Sequence, residues 1–377
     1  MNQRILYIQY TNPNGYPPLE HSSRILAEDG WKVRFLGTHS AGDSNALKFE
    51  PHSNRVVQLT SYCKPGLRQK LHYLRFAIWC WIVVVTWRPR VVYASDGWSY
   101  PIAYSLSFIP KLKVVMHEHD SPANSGNWVQ RAILWCRKKL IARATTCVCP
   151  QATRAENIRI HQPKRLDIVF NCPSKREALS RNRFDSRNEL RLWFHGSLVP
   201  TQLPRQLVEA MKLCDFPTKL TFAGYETIGH QGYVKELQEF ASGLGLADSV
   251  HYVGAIPTRK QMYQLASEND IGTVLFSMNF REPMVGASNK PFDYLACGLA
   301  LLVPDIEEFN QFFVKPGCAL SCNSEDAASI AAALKRMHED RPLIEELWRN
   351  GSQMIQSQWN YENQFDQVRK LLRQKAA

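Results

Sequence analysis

The chain has 377 residues, of which 45% are hydrophobic and 21% charged, and a formal net charge of +12. This length suits two domains of roughly 150–200 residues each, and the composition excludes a mainly disordered chain, a collagen-like repeat and a polytopic membrane protein. Nearly all of the basic excess lies in residues 1–176, which carry 25 Lys and Arg against 10 Asp and Glu. Two domains with different partners are therefore expected, and the basic one suits nucleic acid, anionic lipid or phosphorylated substrates.

Ten cysteines are scattered along the chain without a Cys-x-x-Cys pair or a Cys/His spacing typical of a zinc site. Several lie in apolar runs, as buried free thiols do. The apolar stretch at residues 5–8 is too short for a signal peptide. These features predict a cytoplasmic protein with reduced cysteines.

In the first half, short β-rich runs alternate with helix-length amphipathic segments. The predicted strands are residues 4–10, 32–36, 91–94, 113–118, 146–148 and 168–170. The predicted helices are residues 19–30, 67–86 and 128–142. This alternation predicts a parallel sheet with right-handed crossovers.

The second half repeats the scheme. Its predicted strands are residues 191–195, 220–223, 250–253, 271–276 and 299–303. Its predicted helices are residues 203–213, 233–244, 259–268, 290–296 and 327–337. A polar, Arg-rich stretch separates the two series, so we expect an α/β protein with doubly wound domains at residues 1–172 and 191–357 and a linker at 173–190. In this architecture a ligand is expected at the carboxyl ends of the strands, in the crevice between the domains.

Two segments of the first half end a predicted strand with chemically useful residues. The first strand leads into a turn-rich loop in which Gly15 can bring the backbone close to a ligand, although an ordinary turn explains it equally well. The strand before residue 117 ends in His-Glu-His-Asp, which places His117 and His119 on one side of the pleat and Glu118 and Asp120 on the other. A neutral imidazole can bind a sugar hydroxyl or move a proton; plain capping and a metal site are the alternatives.

Asp96 follows another strand and can either accept a hydroxyl hydrogen bond or cap the next helix. Residues 67–90 join a basic segment to ten apolar residues and include Trp79, Trp81 and Trp87. Such a helix can lie at a membrane interface or pack against the first sheet. The basic flank, together with the basic residues 137–139, favours a patch that faces a membrane.

Three predicted strands of the second half end in glycine, at Gly196, Gly224 and Gly254. After the first of these, Gly196 and Ser197 can offer backbone and hydroxyl hydrogen bonds to a phosphate. The other two repeat the pattern of strand, glycine and turn.

The densest cluster spans residues 281–298. Ser288 or Asn289 is expected to cap a short helix with Lys290 in its first turn, where a cation opposes the helix dipole unless an anion binds there. Asp293 lies three residues on, on the same face, where a carboxylate can take a pair of ribose hydroxyls. This combination predicts an anion or nucleotide site.

With this cluster in view, residues 288–303 resemble the sugar-donor segment of GT-B glycosyltransferases, in particular the retaining family 4-like group (glycosyl transferases group 1). The resemblance runs over nearly the whole chain. It includes the motifs Tyr-Pro-Pro, His-Glu-His-Asp, Phe-His-Gly-Ser, Ala-Gly-Tyr-Glu and Tyr-Val-Gly-Ala-Ile-Pro. It implies a GT-B fold, in which two Rossmann-like domains face a central cleft, with a C-terminal helix at 358–377 that returns to the first domain.

The implied function is transfer of a sugar from a nucleotide sugar to a hydroxyl of a glycan or lipid-linked acceptor, with retention, in polysaccharide or glycolipid assembly. The residues expected to take part in catalysis are His119, Lys290 and Glu282. Those expected to bind the nucleotide sugar are Gly15, Gly196, Ser197, Gly224, Tyr225, Gly254, Ile256, Arg281, Ser288, Asn289 and Asp293. Those expected to bind the acceptor are Tyr16, Asp96, His117 and Asp120. No metal or other cofactor is expected.

The sequence departs from the family pattern at two places. Val285 stands where the first glutamate of the family's Glu-x7-Glu motif is expected, with Glu282 out of register. Gln202 stands where a lysine is expected, so phosphate binding falls more heavily on Lys290, with Arg281 as a helper. These departures keep two alternatives open, a binding subunit without catalysis and a nucleotide-sugar epimerase. Nucleic acid is not an expected partner, because no reader module is present, and the enzyme is expected at the cytoplasmic face of an anionic membrane.

Overall fold

The computed structural model describes residues 3–41, 47–120, 126–179, 188–227, 229–278 and 284–374. Its strands are β1 Arg4–Ile8, β2 Lys32–Thr38, β3 Arg55–Thr60, β4 Val91–Ser95, β5 Lys113–His117, β6 Thr146–Cys149, β7 Leu166–Ile168, β8 Leu190–Leu198, β9 Thr218–Glu226, β10 Val250–Tyr252, β11 Ile271–Thr273, β12 Ala300–Pro304 and β13 Ala319–Cys322. Its helices are α1 Pro17–Glu28, α2 Leu67–Trp87, α3 Tyr100–Leu106, α4 Trp128–Arg143, α5 Ala152–Arg159, α6 Arg205–Leu213, α7 Tyr233–Gly243, α8 Arg259–Ala266, α9 Lys290–Ala296, α10 Glu307–Phe309, α11 Ala327–Glu339, α12 Arg341–Ser357, α13 Tyr361–Gln364 and α14 Asp366–Arg373.

The chain forms two compact units. The first unit is Met1–Asn171 with Tyr361–Ala377, and the second is Cys172–Asn360.

In the first unit, the described strands form a parallel sheet in the order β3-β2-β1-β4-β5-β6-β7. Helices α2 to α5 supply the apolar side chains that cover one face of the sheet. Helices α1, α13 and α14 cover the other face. The strand order reverses between β1 and β4, and ligands of doubly wound sheets bind beside such a reversal, at the carboxyl ends of the strands.

In the second unit, the described strands form a parallel sheet in the order β10-β9-β8-β11-β12-β13, which reverses between β8 and β11. Apolar side chains of α6, α7, α11 and α12 join those of the strands in one core cluster. Helix α9 is buried from Pro291 to Ala296. Two parallel sheets covered by helices confirm the predicted α/β fold.

Each predicted strand and helix is present, with its ends shifted by a few residues. The sequence reading missed β3, β13, α3, α5 and α12. Strand β3 is an edge strand with exposed positions between half-buried ones, so it lacks the continuous apolar run of a central parallel strand. Asp340 both ends α11 and caps α12. No loop separates the two helices, so the sequence does not mark the start of the second.

For helix α2 the sequence left two interpretations open, a membrane interface and packing on the first sheet. Phe76, Cys80, Val83 and Val84 are buried in the first unit, so this face packs against the sheet as a core helix does. The three tryptophans of the interfacial interpretation are half-buried and pack on the same core cluster. These contacts support the packing alternative for the three tryptophans. In the described part of the chain, no helix has both the length and the apolarity that crossing a bilayer requires.

We predict that Gly351→Ala destabilises the second unit. Gly351 is buried in α12, and a Cβ at this position would lie 2.3 Å from Cδ2 of Leu295 in α9. Overpacking of this kind costs about 1–3 kcal/mol, which thermal unfolding will register as a lower Tm. Gly243→Ala is the control, because a Cβ there would meet nothing within 4 Å; an equal loss in both variants would contradict the prediction.

Candidate active site

In the first unit, three predicted site residues meet at the carboxyl end of β5. The rings of His117 and His119 have centroids 3.8 Å apart, and the ring of Tyr16 lies 5.3 Å from that of His119. The hydroxyl of Tyr93 is 2.7 Å from Nδ1 of His117 and fixes that ring. The predicted alternation is confirmed here, since both histidines lie on one side of the strand.

His119 is buried, and neither of its ring nitrogens has a hydrogen-bond partner among the described residues. Burial, assisted by the nearby Arg154 guanidinium, lowers the pKa of His119 to about 3. The imidazole is therefore neutral at physiological pH, with one nitrogen able to donate a hydrogen bond and the other able to accept one. Because buried polar atoms are nearly always paired, this ring is suited to a ligand that carries hydroxyl groups.

Glu118 points away from the histidines and is bound by Arg137. The guanidinium donates to both carboxylate oxygens, with Nε to Oε2 at 2.5 Å and Nη2 to Oε1 at 2.9 Å. Both side chains are buried. The inclusion of Arg137 in a basic patch facing a membrane was therefore wrong, because its charge is used inside the first unit.

Asp96 follows β4 with φ 76° and ψ 165°, a backbone region that is almost confined to glycine. Its side chain accepts a hydrogen bond from the backbone of Ser99 and caps a short 3-10 turn, as the capping alternative requires. Burial raises the pKa of Asp96 to about 7, opposed by hydrogen bonds from the backbone of Ser99, Trp98 and Tyr10. Strained backbone of this kind is frequent at functional sites. The role of Asp96 in acceptor binding stays a prediction.

The two remaining predicted residues of the first unit lie in simpler surroundings. Gly15 ends the 3-10 turn Pro13–Gly15. The carboxylate of Asp120 is largely exposed and lies 3.9 Å from Arg154. Their ligand contacts stay predictions.

In the second unit, the three predicted glycines lie side by side. Gly196 of β8 is paired with Gly224 of β9, whose N–H donates to the carbonyl of Gly254 at 3.0 Å. All three have positive φ, and a Cβ on Gly224 would lie 1.8 Å from the carbonyl oxygen of Gly196. Only glycine fits this approach of one strand end to the next.

Lys290 reaches this row of glycines from the start of α9. A Cβ on Gly196 would lie 2.9 Å from Cε of Lys290, so the glycine makes room for the lysine. The ammonium donates to Oε1 of Gln202 at 2.7 Å. Burial lowers the pKa of Lys290 to about 8, partly offset by the charge of Asp293. Sequence reasoning treated Gln202 only as a missing lysine and did not foresee that it binds Lys290.

Asp293 is held by protein groups. Its Oδ1 accepts from Arg259 at 2.8 Å and from the Tyr263 hydroxyl at 2.6 Å. Its Oδ2 lies 3.3 Å from Arg259 and 3.4 Å from Nε2 of His195. A carboxylate offers about four lone-pair positions, and these contacts use them. These contacts give Asp293 a structural role. Its predicted role in binding ribose stays a prediction.

The charges around Asp293 are mutually dependent. Burial by itself would raise the pKa of Asp293, but the Arg259 guanidinium and hydrogen bonds from His195 and Arg259 hold it well below its usual range. Arg259 also donates to Glu177 at 2.6 Å. No sequence pattern indicates this network, since Glu177, Arg259 and Asp293 are far apart in the chain.

The other predicted residues have varied surroundings. Burial raises the pKa of Tyr225, and the nearby Ser197 side chain partly opposes this. Ile256 lines an open groove of about 770 Å³ with Val253, Pro257 and residues of α8. Asn289 occupies the N-cap position of α9 without a side-chain capping bond.

Ser288 is buried, and its N–H donates to the carbonyl of Met284 at 2.8 Å. Arg281 and Glu282 lie outside the described residues. Among the residues described, no group of three or more His, Cys, Asp and Glu side chains is arranged to hold a metal ion.

Two family models match the sequence, a glycosyl transferase 4-like domain over residues 19–173 and a glycosyl transferase-like domain over residues 202–370. No curated protein matches it. Sucrose-phosphate synthase from Thermosynechococcus elongatus is similar in structure, with a TM-score of 0.76 and 15% identity over 98% of each chain. HepE from Anabaena in complex with UDP has a TM-score of 0.74 and 15% identity over 98% of this chain and 99% of its own.

HepE is also known in complex with UDP-glucose. WaaG, a glycosyltransferase involved in lipopolysaccharide biosynthesis, has a TM-score of 0.69 and 12% identity over 98% of this chain and 100% of its own. At these identities the structural likeness concerns the fold, and it confirms the two-domain architecture expected from the sequence.

We predict that Asp293→Asn lowers the free energy of unfolding by about 3–5 kcal/mol at neutral pH, because it leaves Arg259, whose side chain is only 13% exposed, without its main counter-charge. The folded-state pKa of Asp293 is depressed, so its contribution is present above the pKa of an unfolded aspartate, about 3.9, and is lost as the pH falls below that value. Denaturant unfolding between pH 3 and 7 measures this. Asp215→Asn is the control, since Asp215 makes an exposed ion pair; a deficit in Asp293→Asn that does not shrink in acid would contradict the prediction.

Proposed function

This chain belongs to the GT-B glycosyltransferases and is a nucleotide-sugar-dependent transferase, and from that premise we propose its reaction in more detail. It transfers a sugar, with retention, from a nucleotide sugar to a hydroxyl of a glycan or lipid-linked acceptor in polysaccharide or glycolipid biosynthesis. The reaction takes place at the cytoplasmic face of a membrane. The observation that carries the proposal is the half-buried Lys290 side chain, with its lowered pKa, beside the glycine row at the carboxyl ends of β8, β9 and β10.

The second unit supplies the site for the diphosphate in this proposal. The depressed pKa of Lys290 means that burial costs its charged form free energy, which an anion beside the ammonium restores. The glycine row lets a phosphate approach the backbone without meeting a side chain. The groove at Ile256 is open enough for a base. Because HepE binds UDP and UDP-glucose, uridine nucleotides are the first to test.

The bond changes define what the residues must do. The bond between the anomeric carbon and the diphosphate oxygen breaks, and a bond from that carbon to the acceptor oxygen forms. The acceptor proton leaves with the nucleoside diphosphate. Negative charge grows on the departing diphosphate, and a fixed cation in a desolvated position stabilises this charge most effectively. Lys290 has this role, and the proposal includes no metal ion.

The first unit supplies hydrogen bonds to the sugar hydroxyls and the acceptor. His119 is neutral and buried, and neither ring nitrogen has a partner among the described residues. It therefore binds hydroxyl groups and does not act as a general base with an ordinary histidine pKa. Tyr16 and His117 contact its ring and fix its position.

We predict that UDP affinity falls about tenfold between pH 7 and pH 9, because free Lys290 loses its proton with a pKa of about 8 while the bound diphosphate favours the charged form. In Lys290→Met the affinity is lower at pH 7 and nearly independent of pH. Isothermal titration calorimetry measures both effects. Lys235→Met is the control, since Lys235 is largely exposed on α7. An unchanged pH dependence in Lys290→Met would exclude Lys290 from the diphosphate site.

We predict that the wild-type enzyme releases UDP from a UDP-sugar only when acceptor is present, with undiminished activity in EDTA. His119→Ala lowers kcat by about 100- to 1,000-fold, because one hydrogen bond to the transition state is lost, while UDP binding is unchanged. His161→Ala, at a half-buried histidine of the same unit, is the control. Coupled detection of UDP with extracted membrane lipids as acceptor measures the release. Sugar epimerisation without acceptor, or nucleotide binding without turnover of any sugar, would favour the alternatives.

A further inference from the structure

Helix α2 has a second apolar face, opposite the one that packs on the sheet. Six large apolar side chains on it are between 52% and 74% exposed. They are Leu67, Leu71, Leu74, Ile78, Ile82 and Val85. Their spacing of three or four residues keeps them on one side of the helix, in a straight stripe about 27 Å long at 1.5 Å per residue.

The stripe continues onto neighbouring helices of the same layer. Trp128 and Trp135 of α4 and Phe108 after α3 are also largely exposed. Each ring lies beneath a cation: Lys70 is 5.1 Å from the Trp128 ring, Lys139 is 5.9 Å from Trp135, and Arg143 is 3.9 Å from Phe108. A surface that exposes this much apolar area is typical of an interaction site.

The charges around the stripe select its partner. Arg68, Lys70 and Arg75 flank it and are exposed, and residues 61–90 contain no Asp or Glu. If two copies of the chain met through α2, these basic residues would face each other and repel. Anionic lipid headgroups are complementary to them, and aromatic rings beside Lys and Arg are the side chains that favour the boundary between headgroups and acyl chains.

We propose that α2 lies in the plane of an anionic bilayer surface, with the stripe in the acyl boundary and the flanking Arg and Lys among the headgroups. Trp128, Trp135 and Phe108 extend this surface. The inference rests on the proposed function for its purpose, which is to bring the first unit to a lipid-linked acceptor, but its geometry is independent of the nucleotide site. The residues of this surface differ from those considered in the sequence analysis, which were Trp79, Trp81, Trp87 and Arg137.

The test is flotation with vesicles of equal parts phosphatidylcholine and phosphatidylglycerol, compared with vesicles of phosphatidylcholine alone. The wild-type protein is expected to float with the anionic vesicles, and to lose this binding as salt is raised. Leu74→Glu/Ile78→Glu is expected to weaken binding at least about tenfold, because two charges enter the acyl boundary. Leu213→Glu, at an equally exposed apolar residue of the second unit, is the control and is expected to bind as the wild type does.

UDP binding and thermal unfolding of each variant separate the possible failures. Unchanged flotation of Leu74→Glu/Ile78→Glu would overturn the inference. So would a wild-type protein that ignores both vesicles and forms a dimer that this variant abolishes, since the stripe would then bind a second copy. Flotation as expected, together with no UDP binding, would leave the membrane surface intact and contradict the proposed function.

Discussion

The carboxylate of Asp293 stays ionised in a position almost closed to water because Arg259 lies against both of its oxygens. An unpaired ion there would cost several kcal/mol. Arg259 in turn contacts Glu177, so one guanidinium joins α8 and α9 to the segment that follows the first unit in the chain. His195 adds the end of β8 to the same group. The start of α9, and with it Lys290, is positioned by this balance of buried charges.

The balance also explains why Lys290 is available to a substrate anion. The negative charge of Asp293 acts on the pKa of Lys290. The Asp293 oxygens, however, are bound by Arg259, Tyr263 and His195. The ammonium has the neutral amide of Gln202 as its close partner. A lysine in a tight ion pair would have a raised pKa and would bind a second anion weakly. Lys290 has a lowered pKa instead, which is the electrostatic condition for a site that binds an anion and then releases it.

The two units use charge in different ways. In the first unit, Glu118 and Arg137 neutralise one another inside the fold, and what remains beside them is the uncharged His119. In the second unit, Lys290 has no strong ion-pair partner among the residues that the structure describes. Sugars are uncharged and are recognised by hydrogen bonds, whereas a diphosphate is recognised by charge. Under the proposed function, the chemistry of each unit corresponds to a different part of a nucleotide sugar and its acceptor.

Sequence reasoning succeeded where local pattern decides the structure. Parallel strands bring their carboxyl ends to one edge, so Gly196, Gly224 and Gly254 could be predicted as neighbours before their contacts were known. The same-face spacing of Lys290 and Asp293 was also readable. The partners of Asp293 were not, because Glu177 and Arg259 reach it only through tertiary packing, and spacing along the chain carries no record of that.

Helix α2 shows a second limit of the same kind. Within residues 76–85 every side chain is apolar, so the sequence has no polar face with which to orient the helix. Tryptophan and basic residues are typical of a membrane interface, which made that interpretation possible. In the structure, however, the three tryptophans of α2 pack against the core cluster of the first unit. The smaller Leu, Ile and Val side chains were left on the outside. In our proposal, this uncovered apolar surface and the basic residues beside it bind an anionic partner.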